Sequence, residues 1–221
     1  MVHNDSALDQ SVNNKIGVLN DDDHIKSETQ LTLTKEISIV TIQKGIVLLK
    51  NYLDSPTQSK LLETAKELNI FSDHHYCRNE KAKNIHMITL SRKDIPDFIL
   101  DIYRKVINLA HKQSKSIGAT FKPSKCVVNY YNLSSKLSLH DELGETGAVI
   151  SLSLGNNGIF RYKNTWKKSC KEKFITLESG DVLVFGGCAR GIVHGVDSIE
   201  RNTGPLQEQF VGRINFNIRE K

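Results

Sequence analysis

Apolar residues recur along this chain in two rhythms, one helical and one alternating, and they begin only after a polar opening. Residues 1–36 hold few large apolar side chains and carry the acidic run Asp21-Asp22-Asp23. Such a stretch buries too little to offset the entropy lost on ordering it, so a disordered polar arm is expected. From Ile37 to Lys50, β-branched and aliphatic residues crowd around Gly45, the mark of one or two strands. Asp54-Ser55-Pro56 reads as a helix start, and Leu61, Leu62, Ala65 and Leu68 fall on one face of a helix over 57–68. Residues 71–92 are polar and aromatic without a clear period and read as an irregular loop. Phe98, Ile99, Ile102, Val106, Leu109 and Ala110 then return at helical spacing, which predicts a helix over 96–114 lying against a sheet.

Beyond residue 125 the rhythm is that of strands. Short runs at 126–131, 136–142, 148–154, 159–162, 174–177, 182–185, 191–196 and 211–218 are separated by turn residues. Gly155-Asn156-Asn157-Gly158 predicts a hairpin between the third and fourth of these runs. The fold class is therefore mainly β with flanking helices, a sandwich or barrel with two helices outside it. The chain divides into the arm (1–36), a region of early strands and helices (37–124) and a β core (125–221).

Composition narrows this picture only a little. At 221 residues the chain is one ordinary domain with a tail, long enough to bury a core. The formal charge of +5 permits nucleic-acid binding without demanding it. Cys77, Cys126, Cys170 and Cys188 are scattered with no C-x-x-C, which suits a reducing compartment. No apolar run reaches transmembrane length, and the first residues do not resemble a signal peptide. A soluble monomer of the cytoplasm or nucleus, with no membrane partner, is expected.

The chemistry concentrates in Leu137-Ser138-Leu139-His140-Asp141-Glu142. If this run is a strand, His140 and Glu142 share a face and Asp141 points away. One nitrogen and one oxygen ligand make two-thirds of a facial triad for non-haem iron. His194, in Gly191-Ile192-Val193-His194-Gly195-Val196, supplies the third from a later strand. Asp141 replaces Glu142 only if a β-bulge turns it inward. On the last strand Arg213, Asn215, Asn217 and Arg219 alternate with apolar residues and share one face. Arginine there suits the far carboxylate of a co-substrate, because its planar fork donates two parallel hydrogen bonds.

Two further clusters invite a reading. His74-His75-Tyr76-Cys77 matches no common zinc spacing. The loop around Tyr76 and Arg78 fits better as a stacking and phosphate-contacting segment at a pocket mouth, or as an ordinary solvated loop. Trp166, among Lys163, Lys167 and Lys168, reads as a loop aromatic, with a contact to a phosphate backbone as the sharper alternative.

Several motifs carry a family resemblance. They are Asn129-Tyr130-Tyr131 as N-x-Y, Leu137 to His140 as L-x-L-H, and the strand from Val149 ending in Ser153-Leu154-Gly155 as S-x-G. The run from Ser179-Gly180-Asp181 to Gly186-Gly187, with Arg190 and His194-Gly195 after it, is the most specific, and Arg213-x-Asn215-x-x-x-Arg219 matches R-x-N-x-x-x-R. From about Gly45 to its end the chain resembles the AlkB family of iron(II)- and 2-oxoglutarate-dependent dioxygenases. The resemblance implies a double-stranded β-helix (jelly-roll) core over 125–221 and a nucleotide-recognition region over 37–124. It implies that His140 and His194 bind Fe(2+), and that Asn129, Tyr131, Arg213, Asn215 and Arg219 hold 2-oxoglutarate, Arg213 on its distal carboxylate. Molecular oxygen is the remaining co-substrate. The implied reaction is oxidative demethylation of N-methylated bases in DNA or RNA, in a single strand or flipped from a duplex, a chemistry of DNA repair or RNA modification.

The chain departs from the pattern in two places. The family's H-x-D reads His140-Asp141-Glu142, with a carboxylate one methylene longer. The position at which some members read the base with an aspartate falls at Gly144. These departures leave two rivals: a pseudoenzyme that binds through the same fold with a weakened metal site, and a dioxygenase of protein side chains.

Overall fold

The computed structural model describes residues 36–120, 122–142 and 146–220. The predicted arm over 1–36 lies outside them except for its last residue, as do residues 143–145 with Gly144.

The first strands form where β-branched residues are densest: β1 (Ser38–Gln43) and β2 (Ile46–Lys50) pair antiparallel around Lys44 and Gly45. Helix α1 (Ser55–Glu67) starts at Asp54, whose carboxylate accepts from the Thr57 backbone N–H at 2.9 Å, with Pro56 in the first turn. Strand β3 (Ala82–Ser91) follows, then helix α2 (Asp97–Gln113). The rest is β: β4 (Pro123–His140), β5 (Val149–Gly155), β6 (Gly158–Lys163), β7 (Lys173–Leu177), β8 (Val182–Phe185), β9 (Val193–Ile199) and β10 (Arg213–Glu220).

These strands form one curled antiparallel sheet in the order β1-β2-β8-β5-β10-β4-β9-β6-β7, with β3 also paired to β4. The curl happens in β4. Its first part pairs with β10 and β3, and its last residues pair with β9. The sheet thereby passes from one layer to a facing one, the jelly-roll arrangement.

Period-two alternation decides what each face holds. Val47 and Leu49 of β2, Ile150 and Leu152 of β5, and Ile214, Phe216 and Ile218 of β10 join one core. The apolar stripes of the helices, Leu61 and Leu62 of α1 and Ile99, Tyr103 and Val106 of α2, cover it. The intervening positions turn inward, where Ile46, Leu48, Leu183 and Phe185 meet Phe160 and Tyr162 of the facing layer. The inward residues of β10, β4 and β5 are the polar exception to this apolar lining. The motif residue Asp181, fully buried, binds Lys50 Nζ at 2.7 Å and the backbone N–H groups of Asn51 and Glu178, tying β2 to β8. Burial of Glu220 is likewise satisfied: it accepts from Thr120, Lys122 and Ala148 and fixes the end of β10.

Four expectations need correction. The runs 126–131 and 136–142 are one strand, β4, which ends at His140 and not at Glu142. Residues 71–92 are not wholly irregular, because 82–91 form β3. Its lysines and His86 obscure an alternation that a register shift between Lys83 and Ile85 also interrupts. Because 126–131 and 136–142 merge, seven strands, β4 to β10, stand among the described residues where the runs beyond residue 125 suggest about eight. The predicted hairpin does not form: β5 pairs with β10 and β8, while β6 pairs with β7 and β9. The glycine- and asparagine-rich turn instead carries the chain from one layer to the other. Gly155 has φ +84°, which glycine adopts without strain, and Asn156 ties the corner to Gly212 and to the Glu200 carbonyl.

Candidate active site

His140 and His194 are direct cross-strand partners on β4 and β9, with ring centroids 4.6 Å apart. A register shift between Leu137 and His140 lets both of these residues face the interior, although an odd spacing would otherwise oppose them. Each ring is held in the same way. His140 Nδ1 donates to the Ser138 carbonyl at 3.0 Å, and His194 Nδ1 donates to the Ile192 carbonyl at 3.1 Å. A carbonyl only accepts, so the proton sits on Nδ1 and the Nε2 lone pair is left for a metal. Burial, with His140 beside it, pushes the pKa of His194 down to about 3, so that its ring is neutral at neutral pH.

Glu142 brings its carboxylate to these rings from two residues beyond the end of β4. The ligand atoms of His140, Glu142 and His194 all lie within 4.8 Å of one another. Asp141 turns outward and accepts a hydrogen bond from Trp166 Nε1 at 2.6 Å. The side-by-side placement predicted for His140 and Glu142 therefore holds, although strand pleating is not its cause.

Two arginines flank the Glu142 carboxylate, one at each oxygen. Arg190 Nη2 lies 3.0 Å from Oε2, and Arg219 pairs with Oε1. Arg190 comes from the turn after β8 and is only 5 % exposed. In the sequence it is a motif position without an assigned role, and its one signal is a cation inside an otherwise apolar, glycine-rich turn. Arg219 lines the same cavity, and its ion pair with Glu142 ties it to the metal end.

Arg213 occupies the other end. It is 2 % exposed, and among the described residues no carboxylate lies within ion-pair distance of it. Its Nη2 donates to Ser153 Oγ at 2.9 Å and its Nη1 to the Leu177 carbonyl at 3.4 Å. Burial lowers its pKa to about 10, which leaves it charged at neutral pH. A buried guanidinium with only neutral partners is costly to maintain and calls for an anion. Gly158 makes room for it, since a Cβ there would stand 2.7 Å from Arg213 Cδ.

Asn215 lies between the two ends, bonded through Nδ2 to Ser151 and to the Leu152 carbonyl. Asn129 reaches it across the β4–β10 ladder, and the Asn129 Oδ1 is buried with no hydrogen-bond partner among the described residues. Tyr131, opposite Arg213 in the same ladder, is 2 % exposed, and burial pushes its phenol up to about 12. Ser151 is a further residue that the sequence does not single out, and Ser153 stands there only as a motif position without an assigned role. Each lies diagonally across β5 from the β10 residue that it holds.

His140, Glu142, His194, Asn129, Tyr131, Ser151, Arg213, Asn215 and Arg219 open into one cavity with about 720 Å³ of empty space, part of it continuous with solvent. Met87, Phe160 and Phe185 add an apolar lining. The donors fit a divalent iron, with two imidazoles and one carboxylate on one side. The buried Arg213, with the unsatisfied amide of Asn129 nearer the metal ligands, fits a dicarboxylate lying between the two ends. Tyr76 and Arg78 do not line the cavity. Tyr76 packs edge-on against His86, which alternates on β3 with the cavity residue Met87 and so faces the other side, and its hydroxyl binds Asn84. Arg78 is exposed.

Known proteins give the same outline. Residues 45–219 match the sequence pattern of the 2OG-Fe(II) oxygenase superfamily. The DNA N(6)-methyladenine demethylase ALKBH1C of Arabidopsis thaliana is 28% identical over 240 residues, covering 89% of this chain and 52% of that protein. The alpha-ketoglutarate-dependent dioxygenase AlkB of Escherichia coli (strain K12) is 34% identical over 117 residues, covering 51% of this chain and 53% of that protein. The solved structure of OsALKBH1 superposes with a TM-score of 0.73 at 28% identity, over 82% of this chain and 100% of that one. The chain spans about half the length of the curated relatives that it matches.

Proposed function

The chain belongs to the 2OG-Fe(II) oxygenase superfamily and is AlkB-like within it, and on that premise we propose that it oxidatively demethylates N-methylated bases of DNA or RNA. The observation that carries the reading is one cavity with a His140–Glu142–His194 cluster on one side and a buried, carboxylate-free Arg213 at its far end. His140, Glu142 and His194 would hold iron(II), and Arg213 the distal carboxylate of 2-oxoglutarate. When bound, that pair with molecular oxygen would supply the oxidising power to hydroxylate an N-methyl group, 2-oxoglutarate going to succinate and carbon dioxide and the methyl carbon leaving as formaldehyde.

The remaining work falls to the chain. The Ser138 and Ile192 carbonyls keep both imidazoles in the tautomer that presents Nε2. Arg190 and Arg219 hold the longer Glu142 side chain in one position. Asn129, Tyr131 and Asn215 form a polar wall that would hold the co-substrate, and Ser153 accepts from Arg213 and fixes its guanidinium. Phe160 and Phe185 pack against the His194 ring and give the space beside it an apolar wall. The methylated base enters from a single strand or after flipping from a duplex, because no base within a stack reaches so deep a pocket.

The test is release of succinate and formaldehyde by the purified protein with iron(II), 2-oxoglutarate and ascorbate. Oligonucleotides bearing one N-methylated base, in DNA and RNA forms, are the substrates. Formaldehyde in step with succinate on either nucleic acid supports the reading. Succinate that no oligonucleotide stimulates, with formaldehyde from a methylated peptide, turns it toward protein substrates. Absence of both with full iron binding turns it toward a binding module.

A further inference from the structure

The nucleic-acid reading gives no role to the loop that joins β6 to β7. From Lys163 to Glu172 it holds four lysines and one acidic residue, Glu172, which pairs with Arg161 at 3.6 Å. Lys167, Lys168 and Lys171 are exposed, and none forms an ion pair with a described residue. Trp166 is 54 % exposed, a large apolar surface left in water.

The indole is held in place all the same. Its Nε1 donates to Asp141 at 2.6 Å, and Asp141 stands between His140 and Glu142 in the chain. Lys163 lies over the ring, 5.5 Å from its centre. The loop leaves β6 at Lys163, whose cross-strand partner is Val193, the neighbour of His194. Both attachments thus place the loop beside the metal end of the cavity. A fixed, solvent-facing aromatic with cations around it is the combination that holds single-stranded nucleic acid: bases stack on the ring while lysines neutralise phosphates.

We propose that the β6–β7 loop is a binding site for the single strand that flanks the target base. Trp166 stacks on a neighbouring base, and Lys167, Lys168 and Lys171 contact the phosphates beside it. Asp141 is a positioning residue, because its hydrogen bond aligns the ring with the segment that carries two of the metal ligands. The inference rests on the nucleic-acid reading above, and it puts the grip on the strand on the β6–β7 side of the cavity and not at Tyr76 and Arg78.

The chain contains a single tryptophan, so its intrinsic indole fluorescence reports on this loop alone. The probe is an oligothymidylate of about 12 nucleotides, a length that suits one stacking platform. It is titrated into the full chain while Trp166 emission is read; a labelled copy gives affinity by anisotropy in a separate series. Saturable quenching is expected at the concentration at which anisotropy rises. Trp166→Ala is expected to weaken binding roughly tenfold. Lys167→Glu with Lys168→Glu is expected to flatten the dependence of log affinity on log salt by about 0.7 for each phosphate no longer neutralised. Tight binding with unchanged Trp166 emission and unaltered affinity in both variants overturns the inference and leaves the nucleic-acid reading standing. Failure of the parent chain to bind DNA or RNA single strands overturns both. Because Trp166 and the lysines are exposed, these substitutions leave the core intact, and circular dichroism of each variant verifies it.

Discussion

His140 and His194 face one another across the β4–β9 ladder, and each donates its Nδ1 hydrogen to the carbonyl two residues before it. The repeated local geometry makes the two imidazoles a matched pair with both Nε2 atoms available on one side. Glu142 closes the set.

Replacing either histidine by alanine should remove high-affinity metal binding. In a three-ligand site the loss of one ligand is expected to weaken cobalt(II) or manganese(II) affinity at least about a hundredfold, the upper range seen even for supporting residues. Calorimetric titration measures it directly. Succinate release should stop in both variants while far-ultraviolet circular dichroism is unchanged. Retention of metal affinity by His194→Ala would remove His194 from the site.

Glu142→Gln keeps the shape of the side chain and removes the negative charge from between two guanidinium groups. With Glu142 at 7 % and Arg190 at 6 % side-chain exposure, leaving the cations without that carboxylate should destabilise the fold by roughly 3 kcal/mol. Urea unfolding of the metal-free protein reads this, and metal titration reads the lost ligand. Unchanged stability with lost metal would mean that the arginines find equivalent partners elsewhere.

At the other end, Arg213→Lys should raise the 2-oxoglutarate requirement roughly tenfold or more, because an ammonium cannot make two parallel bonds to a carboxylate. Gly158→Ala is the finer probe. Its methyl would stand 2.7 Å from Arg213 Cδ and 2.8 Å from Nε, displacing the guanidinium without removing it. The KM for 2-oxoglutarate should rise several-fold with metal affinity unaltered. A rise in KM confined to Arg213→Lys would mean that the side chain shifts freely around the new methyl.

Stability of the metal-free protein should fall with acid, with a sign set by His194. Its pKa is about 3 in the fold and near 6.5 when the chain is unfolded. Above 6.5 neither state holds the proton, and the histidine contributes no pH dependence. Below 6.5 the unfolded chain binds a proton that the folded one refuses, so stability falls by roughly 1.4 kcal/mol per pH unit until about pH 3. Urea midpoints from pH 7 to 5 should therefore slope downward, and His194→Gln should flatten the slope. A His194→Gln curve parallel to the parent would assign the slope to other groups.

Much of the cavity is legible in the sequence because its residues sit on strands with a clean period. Arg213, Asn215, Asn217 and Arg219 alternate with Ile214, Phe216 and Ile218, and β10 lies between β4 and β5, so pleating alone turns the four polar residues inward. What escapes are relationships that a local pattern does not encode. Gly155 to Gly158 announces a change of direction but not the layer to which the chain goes. The alternation of β3 is broken by its register shift and masked by its lysines and His86. Tyr76 resembles a substrate contact by composition, and the pairing of His86 with Tyr130 puts it behind the strand. Arg190 acquires its meaning only when the turn after β8 meets the segment beyond β4.

Strand β4 also works as a ruler. Tyr131, opposite Arg213 at the dicarboxylate end, and His140 at the metal end belong to the same 18-residue strand. The separation between the two halves of the site is therefore set along one backbone, by the number of residues in the stretch and by the curl that carries β4 from one layer to the other. One added or deleted residue between Tyr131 and His140 would reverse which side chains face inward beyond it. Variation among chains built on this plan should therefore gather in the loops at either end of β4, while the stretch between the two ends keeps its count.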